Sequence, residues 1–209
     1  MPANWQKKLH QKAKYSTLHA MHNQFSNYIS ARIEISDEDL KTVLSFFKPL
    51  KVQKNEFLVS PGKINTKIYF IISGCLRIFF LTEDGTEATR LFAFENQFAT
   101  ALVSFVTASE SMEFVQAVEQ TEVLSINKTD FYQLLEIIPR WEKLYRHYLE
   151  YAYVTNTNRL MSFITADAME RYQELLSKNP IVVKRLSNKM IASYLNISPE
   201  TLSRLKSKG

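Results

Sequence analysis

Three of the chain's four glycines fall between residues 62 and 85, each beside short runs of β-branched and aromatic residues. Pro61-Gly62 follows FLVS, Ser73-Gly74 separates IYFII from CLRIFFL, and Asp84-Gly85 separates that run from TEATRLFAF. Runs of this composition are strands, the intervening pairs are turns, and Asp-Gly is the strongest short hairpin signal. Further strand patterns cover 97–100, 113–118 and 122–126. Six or more strands packed into about seventy residues predict a double-sheet jelly roll or a closed barrel.

Helical patterns flank this unit. Residues 36–47 begin SDEDL, an N-cap serine followed by acids in the first turn, which suits the helix dipole. A short helix is predicted over 128–137. Pro139 then opens a pattern from 140 to 165 that contains neither glycine nor proline and carries Trp141, Leu144, Tyr148 and Tyr151. A helix of about 25 residues is roughly 40 Å long, more than one small barrel can cover. The spacing therefore predicts a long helix that pairs with its counterpart in a second chain, through a face carrying Leu144, Tyr148, Tyr151 and Thr155. Another helix is predicted over 166–178, ended by Asn179-Pro180.

The stretch LSNKMIASYLNISPETLSRLK, residues 186–206, reads as two short helices joined by a tight turn. Ile191 and Leu195 share one helix face, and Leu202 and Leu205 share the next. Ala192 is small where the helices cross. Asn196 falls at the turn, where the backbone needs a positive φ that asparagine tolerates better than most residues. Ser198 reads as an N-cap with Pro199 at the first helical position. From residue 181 onward there are six basic residues (Lys184, Arg185, Lys189, Arg204, Lys206 and Lys208) and one acid, Glu200. That surplus of five equals the net charge of the whole chain, so residues 1–180 balance. Such a layout predicts a helix-turn-helix that meets the phosphates of double-stranded DNA.

Composition removes other classes. At 209 residues, 45% hydrophobic and 22% charged, the chain fits one large globular domain or a medium and a small one. No apolar run approaches the roughly 18 residues that span a bilayer, and the N-terminal residues do not read as a signal segment, so no membrane partner and a cytoplasmic location are expected. The basic N-terminal residues Lys7, Lys8, Lys12 and Lys14 read as a solvated arm. The single cysteine, Cys75, excludes an internal disulfide and a four-cysteine cluster, and it reads as a buried structural thiol. The four histidines, His10, His19, His22 and His147, all lie outside the β region, so the inward-facing histidine box of a jelly-roll metalloenzyme is absent. No metal, no resident cofactor and no catalytic site are expected.

A β-roll, a long helix and a terminal helix-turn-helix, in this order, resemble the Crp/Fnr family of transcription regulators. The anchors are KINTKIYFIISGCLRIFF, with the family's strand-Gly-strand pattern, and IASYLNISPETLSRLK. The resemblance implies that the roll takes a cyclic nucleotide or another effector, that the long helix makes a homodimer, and that paired recognition helices read a near-palindromic operator. By position it places Glu200 and Arg204 at base edges, and their chemistry suits cytosine N4 and guanine O6/N7 respectively. Ser198, Thr201 and Ser203 fall where phosphates or bases are reached, and Lys189, Lys206 and Lys208 where phosphates are. Pro199 stands where cyclic-nucleotide-responsive members carry a base-reading arginine.

The effector pocket is expected around Phe98, Ala99, Thr100, Ala101, Leu102, Ser111 and Met112. The resemblance places a ribose-binding glutamate near Ala101 and a phosphate-binding arginine near Ser111, and this chain has neither. Between Leu91 and Val118 there is no Arg or Lys at all, so a buried phosphate lacks its counter-charge. Arg77 and Arg90 read as surface strand positions. The effector is thus unknown, and cAMP is not expected to bind.

The expected organisation is α+β: a basic extension over 1–28, a cyclic-nucleotide-binding-like jelly roll with flanking helices over 29–138, a dimerisation helix over 139–165, and a helix-turn-helix domain over 166–209. The expected function is DNA-binding transcription regulation, with RNA polymerase a further candidate partner. The alternative is a ligand-binding β-roll module with weak or lost sequence-specific DNA binding. Because no β-wing follows the second helix in this sequence, modest affinity and a steep salt dependence are expected.

Overall fold

The computed structural model describes residues 3–208, with side chains from residue 17 to residue 207. Helices α1 (Ala3–Ser30) and α2 (Asp37–Phe46) precede strands β1 (Lys48–Val52), β2 (Phe57–Val59), β3 (Lys67–Ser73), β4 (Leu76–Leu81), β5 (Glu87–Ala93) and β6 (Phe98–Ala99). After α3 (Leu102–Thr107) come β7 (Phe114–Ala117) and β8 (Thr121–Asn127). Helices α4 (Lys128–Ile137), α5 (Pro139–Thr165), α6 (Ala168–Lys178), α7 (Pro180–Arg185), α8 (Asn188–Leu195) and α9 (Pro199–Lys208) complete the chain. The strands form two four-stranded antiparallel sheets, β1-β8-β3-β6 and β2-β7-β4-β5, which is the double-sheet roll that the turn pattern predicts.

Strand period 2 explains why both faces of the central strands are apolar. In β3, Tyr69 and Ile71 point into the roll, while Ile68, Phe70 and Ile72 point out to the helices. In β8, Val123 points in, and Leu124 and Ile126 point out. The outward set packs against Phe25 and Ile29 of α1, Val43 of α2, Phe131 and Leu134 of α4, and Trp141 and Leu144 of α5. At the β3–β4 turn, Gly74 has φ +98°, and a Cβ there would stand 2.5 Å from Thr121 Oγ1 and 2.7 Å from Thr121 Cα. Only glycine combines that φ with that approach.

Several boundaries differ from expectation. The proposed edge at residues 28 and 29 falls inside α1, whose Met21, Phe25 and Ile29 are buried at i, i+4 and i+8. A stripe one residue wide in a polar helix gives little signal, yet it anchors the helix on β3. The side chains of Lys7, Lys8, Lys12 and Lys14 lie outside the described residues. Helix α6 starts at Ala168 because Asp167 caps it, accepting from Glu170 N while Glu170 reaches back to Asp167 N. Residues 139–165 form the single long helix predicted.

Candidate nucleic-acid interface and effector cleft

The C-terminal helices follow the local rules read from the sequence. Asn196 ends α8 with φ 52° and ψ 51°, the left-handed cap that a helix stop requires. Ser198 Oγ accepts from Thr201 N at 3.1 Å and so caps α9, with Pro199 in its first turn. Leu202 is fully buried beside Ile191, Ala192 and Leu195, with Leu205 packed against the same cluster, which locks α9 onto α8. The opposite face of α9 carries Glu200, Ser203 and Arg204, all exposed, with Thr201 half-buried beside them. The Glu200 carboxyl lies below its ordinary range, held there by backbone N–H and Ser198 hydrogen bonds and by the nearby Arg204 charge.

The basic residues are not all free. Arg185 makes a bidentate pair with Glu95 of the β5–β6 turn, at 2.8 and 2.9 Å, and also bonds Glu119. Lys189 Nζ is 3.8 Å from Glu87, and Lys206 Nζ donates to Asn188 Oδ1 at 2.6 Å. The side chain of Lys208 lies outside the described residues.

These contacts join the C-terminal helices to the roll. Cys75, Phe92, Phe94 and Val118 of the roll share one apolar cluster with Tyr172, Leu175, Val182, Leu186 and the α8–α9 residues. Cys75 is fully buried there, and desolvation pushes its thiol well above the ordinary range. Arg77, expected at the surface, is 2% exposed. Its Nε donates to Thr89 Oγ1 at 2.7 Å, its Nη1 to Glu87 at 2.8 Å and its Nη2 to Ser193 Oγ of α8 at 3.0 Å. The expectation failed because the cover comes from a helix 116 residues away in sequence. Arg159 of α5 adds a bond to Thr89 O at 2.7 Å and lies over the Tyr194 ring at 3.9 Å.

A cleft of about 590 Å³ opens where β5, β6, the end of α1, α5 and the C-terminal helices meet. Of the expected pocket residues, Phe98, Thr100 and Leu102 line it. The others do not. Ala99 and Ala101 point into the filled interior of the roll, Ser111 is buried in a turn where it bonds the Glu113 backbone, and Met112 is exposed at 83%. Arg90, also expected at the surface, lines the cleft and forms a two-pronged pair with Glu113. Tyr28, Arg32 and Tyr194 complete the lining from elements far apart in sequence, which no local pattern could bring together.

The face of α5 expected to pair is divided, since Tyr151 stays 61% exposed whereas Leu144 is 2% exposed. Leu144 is buried in the chain's own core and Tyr148 packs on Phe98, with ring centroids 5.7 Å apart, while Tyr151 and Thr155 line the cleft. A second apolar seam lies on the opposite side of the helix, roughly 170° around, at Tyr153 (73%), Leu160 (60%) and Ile164 (70%), flanked by Val154 and Met161. Among the described residues, no group of three or more His, Cys, Asp or Glu is placed to hold a metal ion, and no helix is long and apolar enough to cross a membrane.

A double-sheet roll flanked by helices, a long helix and a terminal helix pair docked on the roll make up the architecture. Residues 49–137 match the cyclic nucleotide-binding domain family. The chain is similar to the c-di-GMP responsive global regulator CLP of Xanthomonas campestris, at 17% identity over 83% of this chain and 91% of that one, with a TM-score of 0.68. It is similar to a mutant of CooA from Carboxydothermus hydrogenoformans, at 18% identity over 85% and 86% with a TM-score of 0.65. A protein from Eubacterium rectale described as a transcriptional regulator of the Crp/Fnr family gives 14% identity over 82% of each chain with a TM-score of 0.65. No curated protein sequence matches the chain. Residues 49–137 are thus similar to cyclic nucleotide-binding domains, and over most of its length the chain shares the fold of these solved structures.

Proposed function

We propose that this protein is a homodimeric, DNA-binding transcription regulator of the Crp/Fnr type, acting in the cytoplasm and answering to an effector other than cAMP. The observation that carries this reading is the exposed polar face of α9, held at a fixed angle by the burial of Leu202 against α8. Glu200, Ser203 and Arg204 project together from that face, as a helix that enters a major groove requires. Arg204 donates to guanine and Glu200 accepts from cytosine. Ser198 and Thr201 reach the backbone from the N-terminal end of α9, beside Pro199. Lys189, Lys206 and Lys208 meet phosphates, and the first two exchange their present contacts with Glu87 and Asn188 to do so.

The exposed seam of α5 supplies the dimer. Tyr153, Leu160 and Ile164 stand seven and four residues apart and so share one helix face that can pair with its copy, and two copies of α9 then read two half-sites. The missing response to cAMP follows from the cleft. Its Glu113 and Glu95 are already held by Arg90 and Arg185, so neither carboxylate is free to accept from a ribose hydroxyl.

The test is fluorescence anisotropy with a selected operator and a random duplex. Arg204→Ala is expected to reduce preference for the operator by about 10- to 100-fold, a loss of about 1–3 kcal/mol, with dimer mass unchanged. Unchanged discrimination contradicts the base-reading role and favours a roll module without specific DNA binding.

A further inference from the structure

We propose that the cleft between β5, β6, α5 and the end of α1 binds a compact planar aromatic carboxylate, a ring system with one acidic group and no sugar. The inference rests on the regulator reading above and names the ligand class of its effector site.

The volume, about 590 Å³, lies within the range of sites that enclose small organic molecules. Its wall is unusually rich in rings. Tyr28 and Phe98 meet edge to face at 5.7 Å, and Phe98 meets Tyr148 in the same way at 5.7 Å. Such a cluster offers a flat ligand both ring faces and ring edges. Tyr148 is desolvated, which pushes its hydroxyl up to about 12. It therefore stays a neutral donor for a ligand oxygen.

The charges select among flat ligands. Arg90 is paired with Glu113, and Glu95 with Arg185, so these four cancel. Arg32 is different. Its guanidinium carbon lies 3.6 Å from the Tyr28 ring centroid, and Nη1 donates to Tyr28 O at 3.0 Å. Among the described residues it has no carboxylate partner. Arg32 is exposed at the rim of the aromatic wall, where a guanidinium without a carboxylate partner fits one acidic group, and a carboxylate matches the guanidinium fork best. A nucleotide fits less well. Its ribose hydroxyl needs an acceptor, and Glu113 is engaged while Glu95 is held by Arg185 and Gly74 N.

A ligand here would also touch the reader. Tyr194 of α8 and Val182 of α7 line the same cleft as Phe98 and Tyr148. Occupancy therefore bears directly on how the C-terminal helices sit against the roll.

The test is calorimetric titration of the full chain with 2-naphthoate, with its neutral counterpart 2-naphthylmethanol, and with cAMP. Saturable binding of 2-naphthoate at one per chain is expected. Arg32→Gln should weaken 2-naphthoate about tenfold and leave 2-naphthylmethanol unchanged. Phe98→Leu, which keeps the volume and removes a ring, should weaken both. The absence of saturable 2-naphthoate binding overturns the proposal, as does binding indifferent to both Arg32→Gln and Phe98→Leu. Tighter binding of cAMP at the same site overturns it too. Anisotropy with operator DNA on the same protein separates the two readings. Specific DNA binding without naphthoate binding removes only the ligand class, whereas naphthoate binding without specific DNA binding removes the regulator reading.

Discussion

Arg77 shows how a single side chain can decide where a domain sits. Its guanidinium is 2% exposed and satisfied by Thr89, Glu87 and Ser193, so the charge is buried only because α8 completes its shell. Thr89 Oγ1 is the hinge of this arrangement, since it also lies 2.6 Å from Ser193 Oγ. Thr89→Val keeps the shape and leaves Nε of Arg77 without its acceptor. We expect a loss of about 1–3 kcal/mol in urea unfolding, whereas Thr129→Val on the exposed start of α4 should stay within about 0.5 kcal/mol. Equal effects at the two sites would contradict the buried-network account. At this scale legibility depended on range. Asn196, Ser198 and Gly74 were readable because their roles follow from the backbone of their immediate neighbours. Arg77 and Arg90 were not, because strand period 2 says which face a residue takes but not what later covers that face.

Among the elements, α5 has the most uneven record. Its extent was plain from Pro139 and the absence of breakers up to Thr165. Its faces were not, because aromatic and polar residues surround the helix and the pattern lacks one dominant stripe. Trp141, Leu144 and Tyr148 serve the chain's own roll, Tyr151 and Thr155 line the cleft, and Tyr153, Leu160 and Ile164 remain open. If the open seam joins two chains, Leu160→Glu should convert a dimer to a monomer at micromolar concentration in sedimentation, with the helical circular dichroism signal retained. A dimer that survives this change places the interface elsewhere. Helix α1 teaches the converse lesson. Its basic first half suggested a solvated arm, yet Met21, Phe25 and Ile29 make its second half part of the core.

In the whole molecule, the roll and the C-terminal helices are joined by one apolar cluster and by arginines that cross between them. Arg77, Arg159 and Arg185 each tie the C-terminal helices to β5 or to the turn that follows it. The net charge of the C-terminal segment therefore overstates the unpaired charge on its surface, since Arg185 is committed to Glu95 and Glu119. The roll, the long helix and the terminal helix pair were legible as a sequence of elements. Their docking was not, since it rests on contacts between residues up to 116 positions apart. The cleft lined by Tyr28, Phe98 and Tyr194 belongs to this scale, because no single element contains it.

The central claim is that α9 reads DNA in pairs. Selection of bound duplexes from a random library by the full chain tests it most directly. The account predicts enrichment of a near-palindromic site with half-sites about one helical turn, roughly 34 Å, apart, bound by two chains and weakened steeply by salt. Recovery of no enriched sequence, or of a single asymmetric half-site bound by one chain, would contradict it.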